Sequence, residues 1–409
     1  MKKIALFTLS TVFFLCSLSL NAVDFGLVFS QNVESTVPTS NFEGSGFDNI
    51  TSVLLPRFSA PLVENGYLYI SGAINYEAAP SNGINSNTVI PELTRSTITL
   101  QGEYVNFNIG RMLYGDPLGI TANGLFDGAQ FSFITRKGNI RVGGWYTGLL
   151  YKERAAITMT PDELKSSKVK VDYDDFANTY YAPRRILAAL DYDHPSLAGF
   201  IGLKTSIITQ FDTSDEKLNS QYFTAAFTVP IKSLIFDLGG CLELIEYKDE
   251  TNPAFSADIG ITYILPTKLE KHIKLSARYS SGVSDDKTIA AFLPITTAPQ
   301  GNIIQAKLSA LTLLSLDFTG RLAKSLSVNT AFTYFIRNDL ATYKYYPITY
   351  GTSDGFLLGA EIFGKLVWNI TSGIRLNFGT GLFIPSLGDA APDADILWRT
   401  KLNMVISIF

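Results

Sequence analysis

The stretch FLLGAEIFGKLVWNITSGIRLNFGTGLFIPSLGDAAPDADILWRTKLNMVISIF, residues 356–409, decides how the rest of the chain is read. In its first third the even positions are Phe356, Leu358, Ala360, Ile362, Gly364, Leu366, Trp368 and Ile370, while the odd ones include Glu361, Lys365 and Asn369. After Thr371-Ser372 the pattern resumes, with Ile374, Leu376, Phe378, Leu382 and Ile384 against Arg375 and Asn377. The last segment sets Ile396, Trp398, Leu402, Met404, Ile406 and Ile408 against Arg399, Lys401 and Asn403. A period of two means extended strands, because successive side chains leave opposite faces of a sheet. One face is continuously apolar and the other carries fixed charge. A soluble sandwich also has such faces, but strands of roughly 12 to 15 residues, against a usual 5 to 6, suit a membrane span with extended ends.

Working outward, the amino terminus says where the chain goes. Met1-Lys2-Lys3 is a short basic head, Ile4 to Leu20 is almost unbroken apolar sequence, and Asn21-Ala22 closes it before Asp24. This is the pattern of a secretory signal peptide removed after Ala22, which divides the chain into residues 1–22 and an exported domain, 23–409. No later apolar run approaches the roughly 18 residues that a helical span needs. Of two cysteines, Cys16 leaves with the signal and Cys241 stays alone, so no disulfide framework exists. Lys and Arg number 33 against 37 Asp and Glu, and losing Lys2 and Lys3 leaves 31 against 37, or −6; nucleic acid is not an expected partner.

Between the two ends the alternation repeats. Leu68, Ile70, Ile74 and Tyr76 form one apolar face; Ile186, Ala188, Leu190 and Tyr192 another; Phe255, Ile259, Ile261 and Tyr263 a third. The count reaches about 18 segments, with 16 as the alternative, one of them read as running from Ile304 through Leu308 to Phe318. Connectors at 32–49, 78–91, 112–125, 152–183, 212–219, 248–252, 282–301, 338–354 and 385–394 read as outward loops, separated by short inward turns. The expected fold class is all-β: a transmembrane, antiparallel, up-and-down β-barrel in an outer membrane, surrounded by lipid.

With apolar faces turned to lipid, the opposite faces line a lumen, and its charges lean basic. The expected pore-lining set is Arg57, Arg95, Arg141, Lys204, Lys307, Arg337, Lys365, Arg375, Arg399 and Lys401; the acids on the same faces, Asp191, Asp237, Glu243, Asp258, Asp317 and Glu361, are fewer. A barrel this wide keeps a water channel, and rings of bases favour anions by Coulomb attraction in a low-dielectric wall. The third outward connection is apolar and Gly-rich. It is therefore expected to fold into the mouth as a constriction, with Arg111, Tyr114, Asp116 and Asp127 as its polar residues. In the fourth connection Thr160-Pro161-Asp162-Glu163 has the order of a helix start.

The segment Ile109-Gly110-Arg111, Gly115-Asp116, Phe126-Asp127-Gly128-Ala129 resembles one found in the alginate-export porins, over about 20 residues. That resemblance implies an 18-stranded barrel with a basic lumen that conducts an anionic polysaccharide. A Trp that the family carries between these motifs is absent. The chain also ends on an aromatic residue, Phe409, similar to the assembly signal of bacterial outer-membrane proteins, although Phe409 shares its face with Ser407 and Asn403.

Enzyme chemistry is not expected. The two histidines, His194 and His272, fall at short turns, far from a Ser or Cys nucleophile pattern. No Cys/His cluster has zinc spacing and no Gly-rich loop has phosphate-binding spacing, so neither metal nor cofactor is implied. The expected function is passive diffusion of small hydrophilic, anionic solutes, with a homotrimer as one candidate assembly. The competing reading is a structural barrel or adhesin that binds host or matrix through its long loops.

Overall fold

The computed structural model describes residues 23–40, 49–81, 84–160, 163, 171–214, 217–247, 250–282, 291–340 and 355–408. The signal peptide read at 1–22 and the terminal Phe409 lie outside the described residues. In chain order the strands are β1 (Asp24–Pro38), β2 (Asn49–Val63), β3 (Gly66–Ser81), β4 (Ile84–Gln101), β5 (Val105–Gly115) and β6 (Asn123–Thr135). Next come β7 (Gly138–Tyr146), β8 (Arg185–Leu197), β9 (Ile201–Asp212), β10 (Leu218–Ile231), β11 (Leu234–Tyr247) and β12 (Glu250–Ile264). The last six are β13 (Lys271–Ser280), β14 (Leu311–Ala323), β15 (Leu326–Arg337), β16 (Leu357–Asn369), β17 (Ile374–Ile384) and β18 (Leu397–Ile408).

Every strand pairs antiparallel with its neighbours in sequence, and β1 pairs with both β2 and β18, closing an 18-stranded cylinder. Closure leaves no free edge strand, and pairing lapses where β4 parts from β5 beyond Ser96 and Arg111. The alternation read from sequence sorts the side chains. Ile98, Ile109, Phe131, Leu190, Phe223, Leu242, Ile259, Leu275, Leu316, Leu366 and Leu402 are exposed on the outside of the cylinder. Tight turns join the strands at one end. The two-residue turn 232–233 places Lys232 at φ 55°, and Ala198 at φ 52° precedes Gly199 at φ 89°; left-handed turn residues match the twist of the strands they join.

Four sequence expectations change. The connectors 78–91 and 248–252 are not open loops: β3 and β4 continue to Ser81 and from Ile84, and β11 and β12 to Tyr247 and from Glu250. The third connection shrinks to residues 116–122, because β5 and β6 keep pairing up to Gly115 and Asn123. Residues 304–308 do not belong to β14, which starts at Leu311. Finally, Leu358 is an extra residue between the Phe335–Gly359 and Ile336–Leu357 pairs. This bulge, eased by Gly359 at φ 120°, turns Leu358 from the lipid face into the interior.

Candidate functional site

The lumen is crossed by a chain segment that the sequence reads as the end of an outward loop and the start of a wall strand. Residues 291–310, between β13 and β14, leave the rim and run through the interior. At one end the Leu293 amide donates to Glu243 on β11 (2.7 Å), and the Leu293 carbonyl accepts from the Tyr222 hydroxyl on β10 (2.6 Å). Midway, Gln300 accepts from Arg278 on β13 at 3.1 Å. At the other end the amides of Asn302 and Ile303 donate to Glu361 on β16 at 2.6 and 2.9 Å. Arg399 on β18 donates to the Asn302 carbonyl at 3.0 Å and pairs with Glu34 of β1 at 2.9 Å. β11 and β18 stand seven places apart around the ring, so the segment is a chord across the barrel. Glu243 and Glu361 are buried to 0 and 2 % exposure. The Glu361 carboxylate is tolerated there because backbone amides supply charge-assisted hydrogen bonds, whereas Glu243 accepts from one amide and its Oε1 has no partner among the described residues.

The third connection also lies inside. The Asp116 carboxylate accepts from the amides of Leu118, Thr121 and Ala122 at 3.0, 2.8 and 2.9 Å, which folds 116–122 into a compact turn. Burial pushes the Asp116 carboxyl up, and these amides oppose that push. Thr121 lies 3.5 Å from the Cys241 sulfur of β11, and Leu118 packs on Gly239, where an added Cβ would come within 2.2 Å of its side chain. Met112, Ile120, Phe126, Trp145, Ile157, Phe292 and Ile295 pack into one apolar cluster, so loops three, four and seven form a single block. The Thr121 carbonyl accepts from Ile295 (2.7 Å), and Ala156 accepts from Thr297 (2.7 Å). In loop four, Thr160 and Glu163 make the reciprocal hydrogen bonds of a helix cap, at 2.9 and 3.3 Å; residues 164–170 of the expected helix lie outside the described residues. Glu163 also holds Arg185, which is fully buried between it and Asp212 at 2.7 and 2.6 Å.

The predicted basic residues divide into three groups. Lys204, Lys365 and Arg375 project from lumen-facing positions and are exposed; among the described residues no carboxylate reaches ion-pair distance of any of them. Arg57 shares the inner face, lying over Gly26, and Arg95 stacks on Tyr69 at 4.9 Å. A second group braces the interior. Arg141 pairs with Asp191 at 2.6 Å and donates to the Gly115 carbonyl, Arg399 holds the crossing segment, and Lys401 lies 3.6 Å from Glu34. Arg337, 3 % exposed, is buried at the end of β15 and donates to Gly355. Lys307 is a correction: it rides on the crossing segment and not on a wall strand, and burial lowers its pKa.

Of the four constriction residues, Tyr114 and Asp116 are inside. Tyr114 donates to Asp191 at 3.0 Å, beneath the Arg141 guanidinium. Arg111 and Asp127 are not inside. They face each other across β5 and β6 on the outer face that Ile109 and Leu113 also occupy, joined at 2.8 Å. Arg111 further donates to the carbonyls of Leu93 and Leu149, spanning a place where β4 pairs with β5 only from Ser96 onward. The ion pair thus seals a split in the wall. The resembling segment therefore contributes architecture here, and only part of it faces the lumen.

Sequence reasoning missed the crossing segment although a signal was present. Phe292, Leu293, Ile295, Ile303, Ile304 and Leu308 make it as apolar as the third connection, and an apolar loop has little reason to stay in water.

No protein-family model matches the sequence, and no curated protein matches it. Solved structures do. OccK2 (OpdF) of Pseudomonas aeruginosa is 11 % identical, with a TM-score of 0.64 over 95 % of this chain and 98 % of that one. OpdQ of the same organism is 10 % identical, TM-score 0.62, over 95 % and 99 %. The outer membrane protein OpdK is 9 % identical, TM-score 0.59, over 95 % and 100 %. The shared feature is the fold. Nothing in the comparisons carries the likeness to alginate-export porins further.

Proposed function

We propose that the chain is an outer-membrane porin, a passive channel for small hydrophilic, anionic solutes, narrowed where loops three and seven enter the lumen. The observation that carries this reading is the imbalance of uncommitted charge. Glu243 and Glu361 are occupied by backbone amides, and Asp191 and Glu34 by arginines. Lys365 and Arg375 remain exposed to the lumen, and Lys365 and Lys401 flank Gly379 in one register row of β16, β17 and β18, whereas Lys204 stands opposite Asp193. Bases unopposed in a water-filled, low-dielectric cylinder raise the local anion concentration. The structural likeness to an outer membrane protein supports the location, as does the exposed apolar belt. The test is single-channel recording in a planar bilayer under a KCl gradient. A reversal potential of anion-selective sign is expected. A barrel that never opens refutes the channel and favours a loop-binding surface protein; cation selectivity refutes the anion preference.

A further inference from the structure

Beneath the third loop, on the wall formed by β5 to β9, lies a bay of about 530 Å³. Its lining differs from the basic wall of β16 to β18. Its acid Asp191 is saturated, accepting from Arg141, Tyr114 and Ser206 at 2.6, 3.0 and 2.6 Å. Arg141 is charge-neutralised by that pairing and also donates to the Gly115 carbonyl, keeping its remaining N–H groups for a solute. Asp116 is occupied by its own loop. The other groups left to meet a solute are Asn106, Gln130, Ser132 and Asn139, with Asp193 standing directly opposite Lys204 in the β8–β9 register. Among the described residues neither the Asn106 nor the Asn139 side chain has a hydrogen-bond partner in the protein.

We propose that this bay is a binding subsite for a neutral polyhydroxylated solute of about disaccharide size. The assignment rests on the channel reading above and adds a second solute class to it. A carboxamide both donates and accepts, as does each sugar hydroxyl, so unpaired Asn side chains match a ring of hydroxyls. A free anion placed here meets Asp193 and a free cation meets Lys204, so neither gains from Coulomb energy. The volume falls inside the range of small-molecule sites, about 300 to 1,000 Å³.

The experiment uses the full barrel in a planar bilayer, with maltose as the probe and a polyethylene glycol of matched hydrodynamic radius as the inert control. Maltose is expected to interrupt the ion current in a saturable, concentration-dependent way that the glycol does not reproduce. Asn106→Leu and Asn139→Leu are each expected to weaken the block ~5-fold, since each removes on the order of one net hydrogen bond. Heat-modifiable gel mobility verifies that each variant is a closed barrel. Block by maltose no greater than that by the glycol, or block unchanged in both variants, overturns the assignment while the channel reading stands. Absence of any channel overturns both.

Discussion

Glu361→Ala tests the crossing segment most directly. Its carboxylate accepts three backbone amides, those of Asn302 (2.6 Å), Ile303 (2.9 Å) and Ile304 (3.4 Å), in a site 2 % exposed to solvent. Hydrogen bonds to a charged acceptor are worth about 1.5–3 kcal/mol each, and orphaned buried donors add their desolvation cost. The third contact is long and the three share one acceptor, so about 4 kcal/mol is a reasonable total. At 1.4 kcal/mol per decade, the displaced state of residues 300–306 should become about a thousandfold more populated. The Leu293 end stays fixed by Glu243 and Tyr222, so the barrel should remain folded while the segment swings at one end. Single-channel recordings should show a larger mean conductance with added open-channel noise, and Glu361→Gln, which retains one acceptor oxygen, an intermediate effect. Wild-type conductance and noise in Glu361→Ala would refute the idea that this chord limits the channel.

Three further outcomes follow from the same geometry. Lys204→Glu combined with Lys365→Glu should shift the reversal potential toward cation selectivity, because both side chains are exposed to the lumen without a carboxylate at ion-pair distance; an unchanged potential would remove them from the conduction path. Arg111→Ala should strand Asp127 on the outer face and destabilise the barrel by about 3–5 kcal/mol in urea unfolding, whereas Arg111→Leu/Asp127→Leu should recover most of that loss. Selectivity should not move in either, since the pair lies outside the lumen. Gly359→Ala should cost about 2 kcal/mol by the same assay, because φ is 120° and the added Cβ would sit 2.4 Å from the Ile384 carbonyl oxygen; no loss would mean that the bulge relaxes freely.

The sequence by itself determined the cylinder. Period-two alternation is a local property of the strand, so Leu238, Ile259 and Leu316 could be assigned outward, and Lys204 and Lys365 inward, from their neighbours in sequence alone. Tertiary structure decided what no local period encodes. One extra residue at the β16 bulge moved Leu358 inside, and the level at which β4 parts from β5 left Arg111 and Asp127 facing each other on the outer wall. Above all, the partnership of Glu243 and Glu361 with amides of residues 293–304 joins strands distant in the ring through a segment 50 to 60 residues away in the chain. Such contacts depend on where the closed barrel places its walls, so the lumen's free charge emerges only once closure has fixed which acids are already taken.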